Sequence, residues 1–576
     1  MSSSGAHVDT VLGTGLTAGI RQLARSLAVT PFAVFQSALA ITLGRLAATD
    51  DVSIGTAVAG RDDPALADLV GMFVNTVVLR TTLQPGDTVV DFVTAAHRRC
   101  ARAMSRADVP FERVVDAVAP HRSPSHSPLF QVALTVQPDQ LAELARWAGS
   151  AEVLDARVPS AKYDVTVSVT DRTDRYDVEF AYATDLFDDA TVRDMARRLE
   201  FVLEQMVHEP SRSIGAIDLL RPDEMRTLAA PAWGSRPEQT LATLLTRGLA
   251  SADPGAPALL GESAVRWSEV TTTTNQIARV LIERGIGPGD VVAVSIPRSP
   301  RSVLAVLGVA MSGAAFVMID SRLPAARRSA MLADSGAVLV ITADPVTTDG
   351  AGSSVTRSTV AELVLDDLEV DLGIAGRPTN RVADAERVRP IALDDAAYLQ
   401  FTSGSTGRPK AVTVTNAGFA ELVGEQQHRL GAGPDSRILH VAAPGFDVAV
   451  WEIVFAVCSG AQLAISPPEV FAGPELATII ARHRVTHTIM TPTALATLDP
   501  AAVPELSVVM VAGEACPPEL VARWHAAGRP LLNLYGPSET TIWATASAPL
   551  RPAEPVTIGG PIAGVGVRVL DACLRP

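Results

Sequence analysis

The chain contains 576 residues, 47% of them apolar and 19% charged, so it is long enough for about two to four domains with ample core material. Its net charge of −15 argues against non-specific nucleic-acid binding, because the phosphate backbone would be repelled. The four cysteines lack the spacing of a zinc site or a disulfide framework, and the N-terminus lacks a secretory pattern. We therefore expect a cytoplasmic protein without nucleic-acid or membrane partners.

The first 220 residues show alternating helical and strand-like periods. Apolar residues at three- and four-residue spacing predict helices from Gly15 to about Ala48, with a break and a new helix start at Thr30-Pro31. Later elements are predicted strands at Val52–Ala59, Leu69–Arg80 and Lys162–Val169 and an amphipathic helix at Asp189–Val207.

Two segments of this region, Asp108–Glu112 and Arg122–Gln131, could each be an ordinary loop when taken alone. In order and spacing, however, Leu69–Arg80, Asp108–Glu112 and Arg122–Leu129 resemble the last three signatures of the condensation domains of nonribosomal peptide synthetases. The resemblance implies that residues 1–220 form the C-terminal lobe of such a domain, with an acetyltransferase-like α/β fold. In that family two adjacent histidines carry the active site, and no two of the ten histidines here are adjacent. We therefore assign no catalytic residue.

Residues 221–257 are rich in proline, alanine, glycine and mixed charge, which predicts a linker. From Ser302 to Ile341 helices and short apolar strands alternate, and this rhythm predicts a mainly parallel, doubly wound α/β sheet. The uncharged run Ser302–Ile319 approaches the length of a membrane span. Because Ser312-Gly313 interrupts it, we expect a buried helix and then a buried strand. Residues 344–392 are expected to form loops or an insertion.

A strand that leads into a loop of glycine and hydroxyl residues is predicted at Tyr398–Val412. Glycines let the backbone turn and aim N–H groups at an anion, while the hydroxyls and one of the chain's two lysines add phosphate ligands. The loop is not a Walker A motif, because only two residues separate Gly404 from Gly407 and Ala411 follows Lys410.

The segment Phe401–Lys410 resembles the phosphate-binding signature of AMP-forming adenylating enzymes, which include acyl-CoA synthetases and the adenylation domains of nonribosomal peptide synthetases. Ala411 stands where that superfamily usually has glycine. The resemblance implies ATP as a cofactor. It also implies a set of phosphate-binding residues: Thr402, Ser403, Gly404, Ser405, Thr406, Gly407 and Lys410.

Two later motifs resemble the nucleotide-binding segments of the same superfamily, Val511–Ala515 and Asn533–Glu539. By resemblance, Glu539 would hold Mg²⁺, a hard cation that prefers carboxylate oxygen. The residues implied to surround the adenine are Gly513, Glu514, Ala515, Asn533, Tyr535, Gly536 and Ser538.

The segment Phe446–Glu452 resembles the one whose aspartate pairs with the α-ammonium of an amino acid, which makes Asp447 the implied anchor. An aspartate that caps the following helix is the alternative. Fatty-acyl and aryl relatives usually lack this aspartate. The implied wall of the substrate pocket is apolar and predicts an apolar amino acid, because a polar side chain would go unpaired there. Its residues are Phe446, Val448, Trp451, Ile489, Met510, Ala512, Leu534, Ile542 and Trp543.

We interpret the chain as α/β throughout: half a condensation domain, a linker and, over residues 258–576, the layered α/β core of an adenylation domain. The sequence ends before the superfamily's C-terminal subdomain and before any carrier domain, so we expect a fragment that is not fully active without them. The phosphopantetheine arm would belong to a partner, a peptidyl carrier protein. A free-standing acyl- or aryl-CoA synthetase and a catalytically inactive docking fragment are the alternatives.

Overall fold

The structure is a computed structural model. It describes residues 4–61, 64–66, 68–118, 127–139, 159–229, 239–343, 360–365, 367–402 and 409–570. The chain divides into two compact units: unit 1 comprises Met1–Ala230 with Arg568–Pro576, and unit 2 comprises Pro231–Val567.

Unit 1 contains a mixed six-stranded sheet in the order β1-β6-β5-β4-β2-β3. The β2–β4 and β4–β5 pairs are parallel, and the remaining pairs are antiparallel. The strands are β1 (Gly5–Leu12), β2 (Asp51–Val58), β3 (Asn75–Thr82), β4 (Val132–Pro138), β5 (Val165–Asp171) and β6 (Tyr176–Ala183). The α-helices among the described residues of this unit are Thr14–Ser26, Pro31–Leu46, Val89–Met104, Phe111–Val118, Asp189–His208 and Pro222–Ala229.

The predicted helix start in unit 1 is confirmed, because the Thr30 hydroxyl accepts from the N–H of Ala33 and Pro31 is the first helical residue. The predicted strand at Leu69–Arg80 is confirmed only in its second half, from Asn75 onward. There the Asn75 amide donates to the carbonyls of Ala107 and Val109 at 2.7 Å each, so this polar residue fixes a neighbouring turn. Of the third condensation-like segment, residues 122–126 lie outside the described residues.

Unit 2 contains two sheets. The six-stranded one has the order β12-β11-β9-β10-β13-β14, and the nine-stranded one has the order β21-β20-β19-β18-β17-β15-β16-β7-β8. Their strands are β7 (Pro257–Leu260), β8 (Ala264–Arg266), β9 (Val291–Ser295), β10 (Ala315–Met318), β11 (Leu339–Thr342), β12 (Ala361–Val364), β13 (Ala396–Thr402), β14 (Lys410–Thr415), β15 (Arg437–His440), β16 (Gln462–Ile465), β17 (His487–Met490), β18 (Val508–Val511), β19 (Leu531–Tyr535), β20 (Thr545–Ala546) and β21 (Gly560–Pro561).

Helices follow most of these strands. They are Leu241–Ser251, Trp267–Glu283, Pro300–Ser312, Ala325–Ser335, Leu368–Ala375, Phe419–Leu430, Asp447–Ser459, Gly473–His483, Pro492–Ala496 and Pro518–Ala526. The central strands of both sheets pair in parallel, and antiparallel pairs occur towards the edges. This arrangement confirms the predicted α/β class and the mainly parallel sheet.

Two segments are more ordered than the composition indicates. The expected linker at 221–257 includes helix Leu241–Ser251, whose leucines are buried in the core of unit 2. The boundary between the two units, at Ala230/Pro231, falls inside this segment, and Pro222 is the first residue of helix Pro222–Ala229, a position where proline is favoured. The expected loops at 344–392 include strand β12 and helix Leu368–Ala375, although residues 344–359 lie outside the described residues.

In the described part of the chain, no single helix is long and apolar enough to cross a membrane. The helices Thr14–Ser26 and Pro31–Leu46 are together long and apolar enough to span a membrane, but they are bent by 109° relative to each other. Most of the second helix is buried inside unit 1, as expected of a core helix. The run Ser302–Ile319 forms a buried helix and a buried strand, as predicted, and Gly313 ends the helix with a φ of +92°.

Candidate functional site

A cavity of about 940 Å³ lies at the carboxyl ends of four parallel strands of unit 2. The segments that follow β15, β17, β18 and β19 line it. In the sheet, β15 lies between β16 and β17. The next strand in sequence, β16, is added on one side of β15, and β17 and the strands after it are added on the other side. The strand order therefore reverses between β15 and β17. Ligands of open α/β sheets bind at such points.

Most of the predicted adenine and amino-acid residues line this cavity. They are Phe446, Asp447, Val448, Ile489, Ala512, Gly513, Glu514, Ala515, Asn533, Leu534, Tyr535, Gly536, Ile542 and Trp543. Residues that were not among the predicted site residues also line it: Val441, Ala442, Ala443, Phe471, Met490, Thr491, Ala494, Cys516, Pro537, Val556 and Ile558. Several of these follow a strand directly, and the positions of the strand ends could have indicated them.

Asp447 is the first residue of helix Asp447–Ser459, and Phe446 occupies the N-cap position. The aspartate is therefore not the N-cap that the alternative interpretation required. The Ser538 hydroxyl donates a hydrogen bond of 2.7 Å to Oδ2 of Asp447. Burial raises the pKa of the Asp447 carboxyl, and the Ser538 hydrogen bond and the first N–H groups of the helix oppose this effect.

Two predicted pocket residues, Trp451 and Met510, do not line the cavity. Both are fully buried in the core of unit 2. Trp451 lies one helical turn beyond Asp447 and packs on Phe455, with ring centroids 4.7 Å apart. Met510 lies within β18, whereas Ala512 directly follows the end of that strand.

The predicted adenine side of the cavity is built from short polar contacts. Glu514 accepts from the N–H and the hydroxyl of Thr493 at 3.1 and 2.6 Å. The amide of Asn533 donates to the carbonyl of Thr557 at 2.9 Å. The Tyr535 side chain is 51% exposed, so one edge of the site is open to solvent. Ser538, which is predicted beside the adenine, contacts Asp447 and is not among the residues that line the cavity.

The wall around Trp543 is tightly constrained. A Cβ atom on Gly536 would lie 2.5 Å from the Cα of Trp543, so only glycine fits this position. Ile542 has a φ of +75°, which is unfavourable for a β-branched residue. Such strain costs about 1–3 kcal/mol and is found most often at functional sites.

The predicted phosphate loop is described only at its ends, because residues 403–408 lie outside the described residues. Thr402 ends β13, Lys410 begins β14, and the antiparallel pairing places these two residues opposite each other. The described residues contain no group of three or more His, Cys, Asp or Glu side chains suited to a metal. Glu539 is an exposed carboxylate. A single carboxylate fits Mg²⁺ held mainly by phosphate oxygens and water.

Comparisons with known proteins agree with this architecture. The family model described as AMP-binding enzyme matches residues 248–576, and the condensation-domain model matches residues 2–229. The nonribosomal peptide synthetase CymA of Salinispora arenicola is 39% identical over 98% of this chain. The phosphinothricin tripeptide synthetase PhsC of Streptomyces viridochromogenes is 33% identical over the whole chain.

The chain spans 7% and 52% of the lengths of these two relatives. Among solved structures, a four-domain nonribosomal peptide synthetase bound to AMP and glycine superposes with a TM-score of 0.80 at 22% identity. That match covers the whole chain and 43% of the solved one. The chain thus belongs to the AMP-binding enzymes: a condensation-domain match precedes its AMP-binding domain, and it is similar over nearly its whole length to nonribosomal peptide synthetases.

Proposed function

We propose that unit 2 activates an amino acid by ATP-dependent adenylation, forming an aminoacyl adenylate and pyrophosphate. The observation that carries this proposal is the Asp447 carboxylate in the cavity wall. Burial disfavours the ionised form of the Asp447 carboxyl, so a cationic ligand beside it would stabilise the carboxylate. The α-ammonium of an amino acid is such a cation, and a fatty or aryl acid lacks one.

We further propose that the substrate side chain is apolar. Of the described residues that line the cavity, Asp447 and Glu514 carry a charge, and Glu514 is already bonded to Thr493. The wall beside Asp447 consists mainly of Val448, Ile489, Ala512, Leu534 and Trp543. A polar side chain would lose its water there without gaining partners, at a cost of about 1–3 kcal/mol.

The nucleotide would lie between the predicted adenine segment and the phosphate loop. Gly513 and Ala515 line one wall, and the exposed ring of Tyr535 offers a face to the base. Lys410 would add a charge toward the phosphates, and Glu539 would hold Mg²⁺. ATP supplies the adenylyl group, while the residues of this chain bind and orient the two reactants. The product would pass to the phosphopantetheine arm of a peptidyl carrier protein.

The proposal is tested by calorimetric binding of valyl sulfamoyl adenosine, a stable mimic of an aminoacyl adenylate. We expect the des-amino analogue, and the variant Asp447→Ala with the intact analogue, to lose tenfold or more in affinity. Removing one partner of a buried ion pair costs about 3–5 kcal/mol, and partial exposure lowers this figure. The exposed Asp435 provides a matched control, and Asp435→Ala should bind as the wild type does. Equal affinity for the amino and des-amino analogues would refute the proposal.

A further inference from the structure

The backbone of two residues at the rim of the cavity, Val441 and Ala442, is held by buried side chains of opposite charge. Glu452 accepts from the N–H of Val441 at 3.2 Å and from the N–H of Ala442 at 3.2 Å. Arg298 donates to the carbonyls of the same two residues, at 2.5 and 3.2 Å. The N–H and the carbonyl of each of these two residues are thus hydrogen-bonded to a buried charged side chain.

Arg298 also holds the segment that leads to Phe471 in the cavity wall. Its remaining N–H groups donate to the carbonyls of Ser466, Pro467 and Val470, at 2.7, 2.5 and 3.0 Å. All three nitrogens of the guanidinium are therefore bonded to backbone carbonyls. The guanidinium carbon lies 4.8 Å from the ring centroid of Phe471, which lines the cavity.

Both charged side chains, Arg298 and Glu452, lie inside the protein. Arg298 is 4% exposed and Glu452 is fully buried. Burial lowers the pKa of the Arg298 guanidinium to about 10, so it remains charged at neutral pH. Glu452 is fixed in turn by His440, whose Nδ1 lies 2.6 Å from Oε2. Neither Arg298 nor Glu452 lines the cavity.

We infer that Arg298, together with Glu452, is a positioning residue that sets the spacing of two neighbouring loops, those that follow β15 and β16 and lead to the ligand cavity. Residues 441–443 lead into Phe446 and Asp447, and residues 466–470 lead into Phe471. A charge that joins both loops fixes the cavity before a ligand arrives, and such preorganisation raises affinity. The nature of the ligand rests on the proposed function, whereas the positioning role does not.

A residue that only supports the fold would give a different result. Arg298→Met leaves Glu452 buried without its cationic neighbour, which lowers stability, so affinity is compared per folded molecule and against a variant with a similar defect. The chain offers a matched control in Arg279, which is also buried, pairs with Glu386 and donates to the carbonyls of Pro378 and Asn380. None of these four residues lines the cavity.

The first readout is hydrogen exchange in the ligand-free protein, measured by mass spectrometry on Arg298→Met, Arg298→Lys and Arg279→Met. Arg298→Met should speed exchange in peptides that cover both 437–446 and 466–472. Arg298→Lys, which keeps the charge but has fewer donors, should give an intermediate effect. Arg279→Met should instead affect residues 375–386. Wild-type exchange of both cavity loops in Arg298→Met would overturn the inference.

The second readout is the affinity for valyl sulfamoyl adenosine, measured per folded molecule. We expect Arg298→Met to lose tenfold or more, about 1.4 kcal/mol, and Arg279→Met to change affinity less than twofold. An equal loss in both variants would reduce Arg298 to a structural residue and overturn the inference. If the wild type bound no adenylate mimic, the proposed function would fail, while the exchange data would still decide the positioning role.

Discussion

Ser538 and Asp447 lie 91 residues apart in the chain, yet the Ser538 hydroxyl donates a hydrogen bond of 2.7 Å to the Asp447 carboxylate. The bond joins the start of helix Asp447–Ser459 to the turn that also carries Glu539. The proposed anchor of the amino acid and the proposed magnesium ligand are therefore held by the same turn. Burial is the main cause of the raised pKa of Asp447, and the nearby negative charge of Glu539 raises it further.

The first prediction concerns Ser538→Ala. The hydrogen bond lowers the pKa of Asp447, so its loss should raise that pKa further and move the acid limb of ligand affinity to higher pH. The free energy of unfolding should fall by about 1–1.5 kcal/mol. Calorimetry with valyl sulfamoyl adenosine over a range of pH measures the shift. Ser538→Thr keeps the hydroxyl and should behave as the wild type does, and an unchanged acid limb in Ser538→Ala would contradict the account.

The second prediction concerns stability in Asp447→Asn. The folded-state pKa of Asp447 is raised, so folding favours the protonated form, and this contribution is lost as pH rises from the ordinary value near 3.8 through the folded pKa. Asparagine removes the cost of burying the ionised form and can still accept from Ser538. The ligand-free variant should therefore be more stable than the wild type at pH 8 and show a smaller difference at pH 4. Thermal unfolding at both pH values measures this, and a variant that is less stable at pH 8 would count against it.

The sequence predicted much of this site because its motifs fall where parallel strands end. Asp447, Gly513 and Gly536 lie within three such motifs, and all three line the cavity. The motifs also predicted Trp451 and Met510 as pocket residues, but both lie in the core and do not line the cavity. A motif does not show how far along a helix or strand the cavity extends.

Two other features of the site depend on contacts that are distant in sequence. Phe471 reaches the cavity through the loop that Arg298 holds, and Arg298 lies more than 140 residues before Val441. The Ser538–Asp447 bond is likewise formed only by the fold. Composition alone also missed local structure: residues 221–257 have a composition typical of linkers, yet they include the buried helix Leu241–Ser251.

The third prediction tests the phosphate loop through the chain's two lysines. Lys410→Ala removes a charge that would face the phosphates, and hydrogen bonds to charged groups contribute about 1.5–3 kcal/mol. We expect the affinity for Mg·ATP, measured by calorimetry, to fall tenfold or more. Lys162→Ala in unit 1 is the matched control, because Lys162 contacts the ring of Tyr163 and not the cavity. Equal ATP affinity in the two variants would remove Lys410 from the site.

The fourth prediction separates the wall from the core. Ala512→Val adds bulk to the cavity, so it should shift preference toward smaller side chains by at least about tenfold, since one methylene is worth about 1–3 kcal/mol. Met510→Leu conserves volume beneath the wall, and it should cost less than about 1.5 kcal/mol of stability without changing preference. Affinities for glycyl, alanyl, valyl and leucyl sulfamoyl adenosine measure both effects. A change of preference in Met510→Leu would return that residue to the pocket.

The central claim is that Asp447 and an apolar wall select an apolar α-amino acid. The most direct test is a calorimetric titration of the 576-residue chain with sulfamoyl adenosine analogues that carry each of the twenty amino acids. The account predicts tight binding of apolar members, shallow differences among neighbours such as alanine and valine, and sharp rejection of serine, aspartate and lysine. Preference for a charged side chain, or equal binding of the des-amino analogue, would contradict it.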